Sequence, residues 1–461
     1  MKAATAFLAG LLTTIAASPA DAQSLKEALE SAYAYSPNLA AERARTRSTD
    51  ETVFTALGGW LPTVTLTGTG TQSVESTKSD AGTSAHGGTS QTSGSLTMSY
   101  TLYNGGGRDA ELQRAREQSG AARADLMTTE QQVLAEAGIA YVDVLVNRRI
   151  LAAQQDNLFD LQDFFDRLET LVESGQRTAF DIADTRIHIG ETLADIAAQE
   201  QLVANAEARF RQFVGLAPAE LQDFPVFPNM PDTAEEAVAA ALTENPLMQS
   251  AKAAVRAAQE AVRIAKAGRL PTVDLSGSVN REDVFTAPDD SGIATAGDST
   301  YGSVELSVSV PIFQAGTEFS AVRQAKQTAN AERLTLKAIE DRVRQEAMTA
   351  WGELASSQSQ VSAAELRLNA AKFSRDALRR RLDEGRISLL DALDVNERFI
   401  AAQQAFIQAH GAVRSAEVRL LQAIGRFGAR NLQLDVAYYD PDDYYRQIRD
   451  NRFTVDVEEV Q

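Results

Sequence analysis

The chain has 461 residues, no cysteine and a formal net charge of −19 at neutral pH. This acidic balance argues against nucleic acid as a partner, because phosphate binding needs a basic surface. Without cysteine, the chain has neither a disulfide framework nor a thiolate metal site. Its three histidines offer little material for a catalytic or metal cluster. We therefore predict no enzyme activity, no catalytic residue, no cofactor and no bound metal.

Residues 1–22 follow the pattern of a secretory signal peptide. Lys2 supplies the positive start, residues 7–17 form the apolar segment, and Ala20-Asp21-Ala22 is the small-x-small cleavage site. An ordinary buried helix is the alternative interpretation. No later run approaches the roughly 18 consecutive apolar residues of a membrane-spanning helix. We expect a protein that leaves the cytoplasm and has no helical anchor.

The remainder of the chain is an internal duplication. Residues 24–70 align with 233–279 without a gap, and 16 of 47 positions are identical. The matches include prolines and glycines, which the shared alanine content does not explain: Pro37 with Pro246, and Gly59 with Gly268. We predict a first repeat at 23–217, a linker at 218–232, a second repeat at 233–428 and an acidic tail at 429–461.

The first repeat opens with a helical pattern that runs to about residue 57. Ser24 and Glu27 have the spacing of a capping box at its start, and Ser36-Pro37 interrupts it. At Leu61-Pro62 the apolar period switches from 3.6 to 2. This switch predicts a strand at about 62–74.

The segment 75–93 consists of Ser, Thr and Gly with hardly an apolar side chain, so we predict an exposed loop there. A return strand with alternating apolar residues extends to about residue 102. The glycines at 105–107 are not followed by the Gly-Lys-Ser/Thr of a phosphate loop. We interpret them as a turn from strand into helix.

A long helix is predicted from 108 to 173, where the chain has no proline. At 1.5 Å per residue it would be about 100 Å long. Apolar residues recur every seven positions, which is typical of a coiled coil: Val144, Leu151, Leu158, Phe165 and Val172, with Leu161 and Leu168 at the partner position. A break at 175–178 and a second helix at 180–214 complete a hairpin.

The second repeat is predicted to follow the same order. Its elements are helix 233–267, strand 271–281, polar loop 283–300, strand 303–313, helix 317–383, a break at 384–386 and helix 389–424. The final segment, 431–461, is acidic and rich in tyrosine without a clear period. It is either a docked or a disordered tail.

Each repeat thus supplies two alternating strands of about ten residues, the length that crosses a bilayer as a tilted strand. A soluble sandwich is the alternative, but it needs about seven strands. In a membrane only a closed barrel satisfies every backbone group, and four strands cannot close one. Three copies of the chain would supply twelve strands. Their apolar positions would contact lipid, while the Thr and Ser positions line a wet interior: Val64, Leu66, Leu275, Leu306 and Val308 face the lipid.

Nearly all of residues 24–428 resemble the TolC-type outer-membrane efflux channel family. The residues that carry the resemblance are Leu61-Pro62-Thr63-Val64, Leu270-Pro271-Thr272-Val273, Phe313-Gln314-Ala315-Gly316 and the run from Gly385 to Asp394. The resemblance implies a mainly α fold with a small β part. Four transmembrane strands per protomer would form a twelve-stranded barrel in a homotrimer, continuous with a long α-helical coiled-coil barrel. The barrel would lie in the Gram-negative outer membrane and the helices in the periplasm.

The resemblance also implies a function and partners. The trimer would be the exit duct of a tripartite efflux or type I secretion system. A periplasmic adaptor would join it to an inner-membrane transporter, and outer-membrane lipid would surround the barrel. Whether the duct exports drugs or secreted protein stays open at this point.

The breaks between paired helices are the candidate working site. Asp391 and Asp394 lie three positions apart on one face of a helix and match the aperture aspartates of the family. In a trimer each would form a carboxylate ring that attracts cations. Asp181 and Asp184 are their duplicates. The alternative is that these residues only favour a helix N-terminus.

Two further features of the breaks depend on the resemblance. In the family, a basic residue and a tyrosine near the second turn hold the tube shut. Here Arg386 lies one position early, Ile387 takes the basic place and Leu382 the tyrosine place, whereas Arg177 has the expected spacing. Gly175 and Gly385 resemble the turns that contact the adaptor, and each can also be a positive-φ helix cap.

Two competing interpretations remain. An enzyme is disfavoured because no histidine or nucleophile shares a motif with the many carboxylates. A periplasmic coiled-coil structural protein without a pore would explain the heptads. It would leave the duplicated strands and their Leu-Pro starts, at Leu61-Pro62 and Leu270-Pro271, without a role.

Overall fold

The computed structural model describes residues 22–78, 84–223, 227, 230–286, 294–383 and 389–450. In chain order the elements are α1 (Leu25–Tyr35), α2 (Pro37–Gly58), β1 (Thr63–Lys78), β2 (Ser84–Asn104), α3 (Gly107–Glu173), α4 (Ala179–Val214), α5 (Ala234–Glu244), α6 (Pro246–Ala267), β3 (Thr272–Thr286), β4 (Thr295–Ser309), α7 (Thr317–Asp383), α8 (Leu389–Ala423) and α9 (Pro441–Asp450). The predicted signal peptide lies outside the described residues except for Ala22.

The chain divides into two compact units. One comprises Met1–Ala40, Met127–Asn245 and Val343–Tyr438. The other comprises Ala41–Leu126, Pro246–Arg342 and Tyr439–Gln461. Helices dominate the first unit, whereas the second contains the whole β-sheet. The predicted fold class, mainly α with a small duplicated β part, is confirmed.

The first unit is built on helices whose ends are defined by short local signals. Ser24 caps α1, and Glu27 returns the bond to the Ser24 backbone in a complete capping box, as predicted. Of the seven residues in the predicted coiled-coil seam of α3, Val144, Leu161 and Leu168 are buried and the other four are half-buried. The hydroxyl oxygen of Tyr141, which is fully buried beside Phe210, lies 3.0 Å from the Gln23 and Gln222 carbonyl oxygens. Burial raises the pKa of Tyr141 to about 12.

Two glycines show the duplication in three dimensions. Gly215 ends α4 with φ 81°, and Gly425 follows α8 with φ 85°. A methyl group on Gly215 would lie 2.3 Å from the ring of Tyr35, and one on Gly425 would lie 2.7 Å from the Cα of Asn245. Tyr35 is the last residue of α1 and Asn245 follows α5, so both lie just before a proline-started helix, α2 in one repeat and α6 in the other. The two equivalent glycines therefore make close approaches at the same junction, one against a side-chain ring and the other against backbone.

In the second unit the four strands form one antiparallel sheet in the order β1-β2-β3-β4. The strands are longer than predicted: β1 reaches Lys78 and β2 begins at Ser84. Much of 75–93, predicted as a loop, is therefore strand, and so is much of 283–300. Threonine favours strands, and hydrogen bonds to the neighbouring strands satisfy the backbone of these stretches. They were predicted as loops because they lack the apolar alternation by which strands are recognised in a sequence. β4 ends before Pro311, which cannot donate to the ladder.

The register of the sheet separates apolar from polar side chains. Met98 lies opposite both Val64 and Gly277, and Leu275 lies opposite Leu306. Because side chains alternate along each strand, this register gathers the apolar positions on one face. On the other face Thr101 donates a 2.6 Å hydrogen bond to Asp274. The predicted division into an apolar and a polar face is present in every strand pair.

The C-terminal segment, which the sequence left as either docked or disordered, contains the helix α9 and contacts α2 and α3. The guanidinium of Arg47 lies over the rings of Tyr439 and Tyr444. The Tyr444 hydroxyl donates to Glu51 at 2.9 Å. At the other side of this contact, Arg123 pairs with Asp442 at 2.6 Å. Residues 451–461 of the predicted tail lie outside the described range.

Arg123 also pairs with a buried carboxylate. Its Nη2 lies 3.4 Å from Asp50, which is fully buried and accepts a hydrogen bond from Ser119. Burial would lower the pKa of Arg123, but the charges of Asp50 and Asp442 outweigh that effect and raise it. The guanidinium therefore bridges α2, α3 and the tail as a permanent cation.

Candidate functional site

The first predicted break lies between α3 and α4 and is a helix-capping turn. Gly175 has φ 75°, its N–H donates to the Val172 carbonyl, and the Gln176 N–H donates to the Leu171 carbonyl, both at 2.9 Å. This pair of bonds is the Schellman motif, which satisfies the last carbonyls of a helix. The cap role considered for Gly175 is thus observed. Contact with an adaptor stays a prediction.

Asp181 serves the start of α4. Its carboxylate accepts 2.9 Å hydrogen bonds from the backbone N–H and the hydroxyl of Thr178. In return Thr178 accepts from the Asp181 N–H at 3.4 Å. The residue therefore has the helix N-terminal role that was the alternative to the aperture. Asp184, half-buried, lies one turn later, and Arg177 is half-buried before the cap.

Asp391 and Asp394 lie in the first two turns of α8, and both are exposed. The Asp394 carboxylate lies 2.6 Å from the Nη2 of Arg398, one turn further along the same helix. Such an exposed pair adds little stability because water screens it. Both aspartates are therefore exposed to solvent in the single chain.

The second predicted break, between α7 and α8, is described only in part. Gly385, Arg386 and Ile387 lie outside the described residues, as does the side chain of Leu382. The role of Arg386 at the aperture and the contact of Gly385 with an adaptor therefore stay predictions.

An apolar cluster supports the helices next to these turns. Leu161 and Leu168 of α3 pack with Leu389 and Leu393 of α8, and all four are buried. Ile182 and Ile189 of α4 lie against this cluster, as do Phe164 and Val172. The aspartates thus start a helix whose opposite side is held in a core.

Polar contacts between helices add to this cluster. Arg379 of α7 pairs with Asp160 of α3 at 2.6 Å. The guanidinium of Arg375 lies 3.8 Å from the ring centre of Phe399 on α8. Sequence reasoning did not identify these residues, since their partners lie on separate helices and no local pattern pairs them.

His188 was also missed as a site residue. Its Nδ1 lies 2.7 Å from Glu397 of α8 and 3.5 Å from Glu191, one turn along α4. The His-x-x-Glu spacing was visible in the sequence as a pair on one helix face. The third member comes from the other repeat, and only the fold brings it close.

The predicted strand starts lie in the second unit. Leu61-Pro62 and Leu270-Pro271 lead directly into β1 and β3. Arg108 contacts the residues just before the first of them, because its guanidinium lies over Trp60 and donates to the carbonyl of Gly59, and it also donates to the carbonyl of Leu102. Arg108 therefore joins the start of β1 to the end of β2.

Gly105 packs closely against the second strand start, Leu270-Pro271. It has φ 67°, and a methyl group there would lie 2.7 Å from the Cβ of Leu270. The glycine turn is thus a close approach between repeats, in agreement with the predicted turn from strand into helix.

Among the helices that the structure describes, none combines the length and apolarity needed to cross a bilayer.

Comparison with known proteins identifies the family to which the chain belongs. The sequence profile of the family described as outer membrane efflux protein matches residues 28–216 and 237–426. The chain is 29% identical to the outer membrane efflux protein BepC of Brucella suis over 98% of its own length and 96% of that relative. It is 24% identical to the outer membrane protein TolC of Escherichia coli over 66% of its length and 64% of the relative.

Solved structures agree on the fold. The outer-membrane channel OprN superposes with a TM-score of 0.71 at 21% sequence identity, covering 87% of this chain and 89% of that one. Members of the family are channels rather than enzymes. Two matched segments, one per repeat, together cover most of the sequence. The chain belongs to the outer membrane efflux protein family, its predicted resemblance is confirmed, and its location is the outer membrane.

Proposed function

We propose that three copies of this chain form the exit duct of a tripartite export system. The observation that carries the proposal is the sheet: β1 and β4 are its two edges, and one face is apolar while the other is polar. Val304 and Leu306 of β4 are 83% and 61% exposed in the single chain. Such a sheet in lipid needs partners for both edges and lipid on its apolar face.

Three copies satisfy both requirements. Each edge would pair with the opposite edge of a neighbour, and twelve strands are enough to close a barrel. The polar face, which carries Asp274 and Glu282, would line the interior. The helices α3 and α7, 67 residues each, would supply the walls of a long conduit. Relatives named as efflux proteins support this use of the fold.

The duplication predicts the register between copies. Within the chain, Thr97 of β2 lies opposite Ser278 of β3. Ser307 of β4 holds the place of Thr97 in the second repeat, and Thr69 of β1 holds the place of Ser278 in the first. A β4–β1 pairing of the same kind would therefore place Ser307 opposite Thr69 of the next copy.

Disulfide cross-linking tests this register, because the natural chain has no cysteine. The double variant Ser307→Cys with Thr69→Cys should form covalent trimers, since opposite Cα atoms about 4.5–5.5 Å apart suit a disulfide. The control is Ser303→Cys with Thr69→Cys, which shifts one partner by four residues, about 13 Å along the strand. Absence of covalent multimers in the first variant, or equal yields in both, would contradict the proposal.

Conductance separates a duct from a structural protein. Detergent-extracted trimer should form pores in a planar bilayer. The alternative, a periplasmic coiled-coil protein, would come out with the periplasmic fraction and show no pore. A water-soluble protein without conductance would therefore exclude the duct.

We also propose that Asp391 and Asp394 narrow the duct as carboxylate rings, supported by their exposure at the start of α8. The variant Asp391→Ala with Asp394→Ala should lower cation selectivity and weaken block by multivalent cations. Asp181→Ala is the matched control, because that carboxylate is engaged in a helix cap. Unchanged selectivity and block in the double variant would remove the aperture assignment.

The partners in this proposal are a periplasmic adaptor and an inner-membrane transporter. The exposed turn at Gly175 is a small positive-φ cap that an adaptor could contact closely. Gly385 is its counterpart by sequence. We expect Gly175→Arg to reduce export in cells while leaving bilayer conductance unchanged. A loss of conductance would instead place the defect in the channel itself.

A further inference from the structure

Three metal-ligating side chains converge between α4 and α8, outside the proposed aperture. They are His188 and Glu191 of α4 and Glu397 of α8. One donor atom from each residue lies within 4.8 Å of the other two. Among the described residues, this is the one group of three or more such side chains. The first unit contains all three residues.

The surrounding fold holds this arrangement in place. His188 and Glu191 share one helix face because they are three residues apart. Their neighbour Ile189 packs against the buried cluster that also contains Leu393, one turn before Glu397. The His188 side chain is only 18% exposed, whereas both glutamates are more than half exposed. Packing therefore restricts the imidazole of His188, whereas an ion from solution can reach the two carboxylates.

A simple ion pair explains only part of this geometry. The Nδ1 of His188 carries at most one hydrogen, which the carboxylate of Glu397 can accept at 2.7 Å. Glu191 approaches the same nitrogen at 3.5 Å. Two negative groups thus point at one nitrogen. A cation between the three atoms would neutralise both carboxylates and accept the nitrogen lone pair.

The distances fit a small divalent ion. Zinc binds imidazole nitrogen and carboxylate oxygen at about 2.0–2.2 Å, so ligands in a tetrahedral site lie about 3.3–3.5 Å apart. The separation of 3.5 Å between Nδ1 and Glu191 already has this value. The 2.7 Å contact must lengthen by about 0.6–0.8 Å to reach this separation, and an exposed Glu397 can rotate to allow it. Water would complete the coordination.

We propose that His188, Glu191 and Glu397 form a binding site for a divalent first-row transition metal ion of the zinc type. An imidazole donor favours such metals over magnesium and calcium, which prefer oxygen ligands alone. The ion would tie a helix of the first repeat to one of the second. This departs from the sequence-based expectation of no metal. It does not depend on the proposed export function.

Zinc titration of the full, tag-free chain in detergent tests the site by calorimetry. We expect one zinc ion per chain, with binding at least tenfold weaker in Glu397→Gln. Glu397→Gln keeps the side-chain shape and a hydrogen-bond acceptor, so its fold should survive. Glu200→Gln, another exposed glutamate of α4, is the matched control and should bind zinc normally.

Thermal unfolding provides the second readout. Zinc should raise the melting midpoint of the natural chain and of Glu200→Gln, because a ligand that binds only the folded state stabilises it. It should not raise that of His188→Ala or Glu397→Gln. Equal zinc affinity in the natural chain and Glu397→Gln, or no saturable binding at all, would overturn the proposal.

Discussion

Helices α2 and α6 are equivalent elements of the two repeats, and they differ in what their side chains contact. Both contain 22 residues and begin at a matched proline. Helix α2 binds the C-terminal segment through aromatic, cationic and acidic side chains. Phe54, for example, packs on Tyr445 with ring centres 4.9 Å apart. In α6 the residue aligned with Phe54 is Arg263, which pairs with Glu260 on its own helix.

The same divergence affects the charges. Asp50, the buried acid of α2, corresponds to the exposed Gln259 of α6. Arg256 of α6 pairs with Glu117 of α3, whereas its counterpart Arg47 lies over two tyrosines of the tail. The duplication thus supplied two similar scaffolds. Residues particular to α2 form the surface that contacts the tail.

The largest expected effect tests a feature that both repeats share. Gly425→Ala should lower the free energy of unfolding by about 3 kcal/mol, combining positive-φ strain with overlap against a backbone. Gly316→Ala is the control, because its φ is 81° and no atom lies near its added methyl group. It should cost only about 1 kcal/mol. Thermal unfolding followed by circular dichroism in detergent measures both. Equal costs would show that the close approach to Asn245 is not rigid.

A smaller effect tests where the repeats differ. Asp50→Ala should destabilise the protein by about 2 kcal/mol, because it removes a buried carboxylate that pairs with Arg123. The remaining pair with Asp442 keeps the loss below that of a fully buried bridge. Gln259→Ala, at the equivalent exposed position, should change stability by less than about 0.5 kcal/mol. Similar losses at both positions would contradict the specialised role of α2.

The smallest effect is a pH dependence of the docked tail. Burial and the hydrogen bond to Glu51 raise the pKa of Tyr444 to about 12. Because the docked state prefers the protonated phenol, its contribution is complete below pH 10 and is lost as pH rises towards 12. The protection of residues 441–447 from hydrogen exchange, measured relative to the intrinsic exchange rate at each pH, should therefore decrease over this range. Tyr444→Phe should remove that step, and an unchanged step in the variant would assign it to another group.

Much of the fold could be predicted because its signals are local. The change of period at Pro62 and Pro271 marks the strand starts, and Ser24 with Glu27 marks a helix start. The outer parts of the strands could not be predicted, since their Ser, Thr and Gly residues do not alternate with apolar ones. Helix α9 was missed because the aromatic contacts of Tyr439 and Tyr444 involve residues distant in the chain.

The candidate site was predictable to a lesser degree. The sequence predicted where the turn at Gly175 and the aspartates of α8 lie relative to the helices. Their contacts do not: the cap made by Asp181 and the pair between Arg379 and Asp160 depend on rotamers and on helix proximity. The group around His188 needed a partner from the other repeat.

The strand order of the sheet has a consequence for stoichiometry. Strand β3 pairs with β2 although the two belong to different repeats. In a chain with a single repeat, that pairing would be a collision between two molecules. The covalent link turns it into an intramolecular event, which raises the effective concentration of the second hairpin near the first. Duplication thereby halves the number of polypeptides that must meet to close a ring and commits each hairpin to one neighbour before assembly begins.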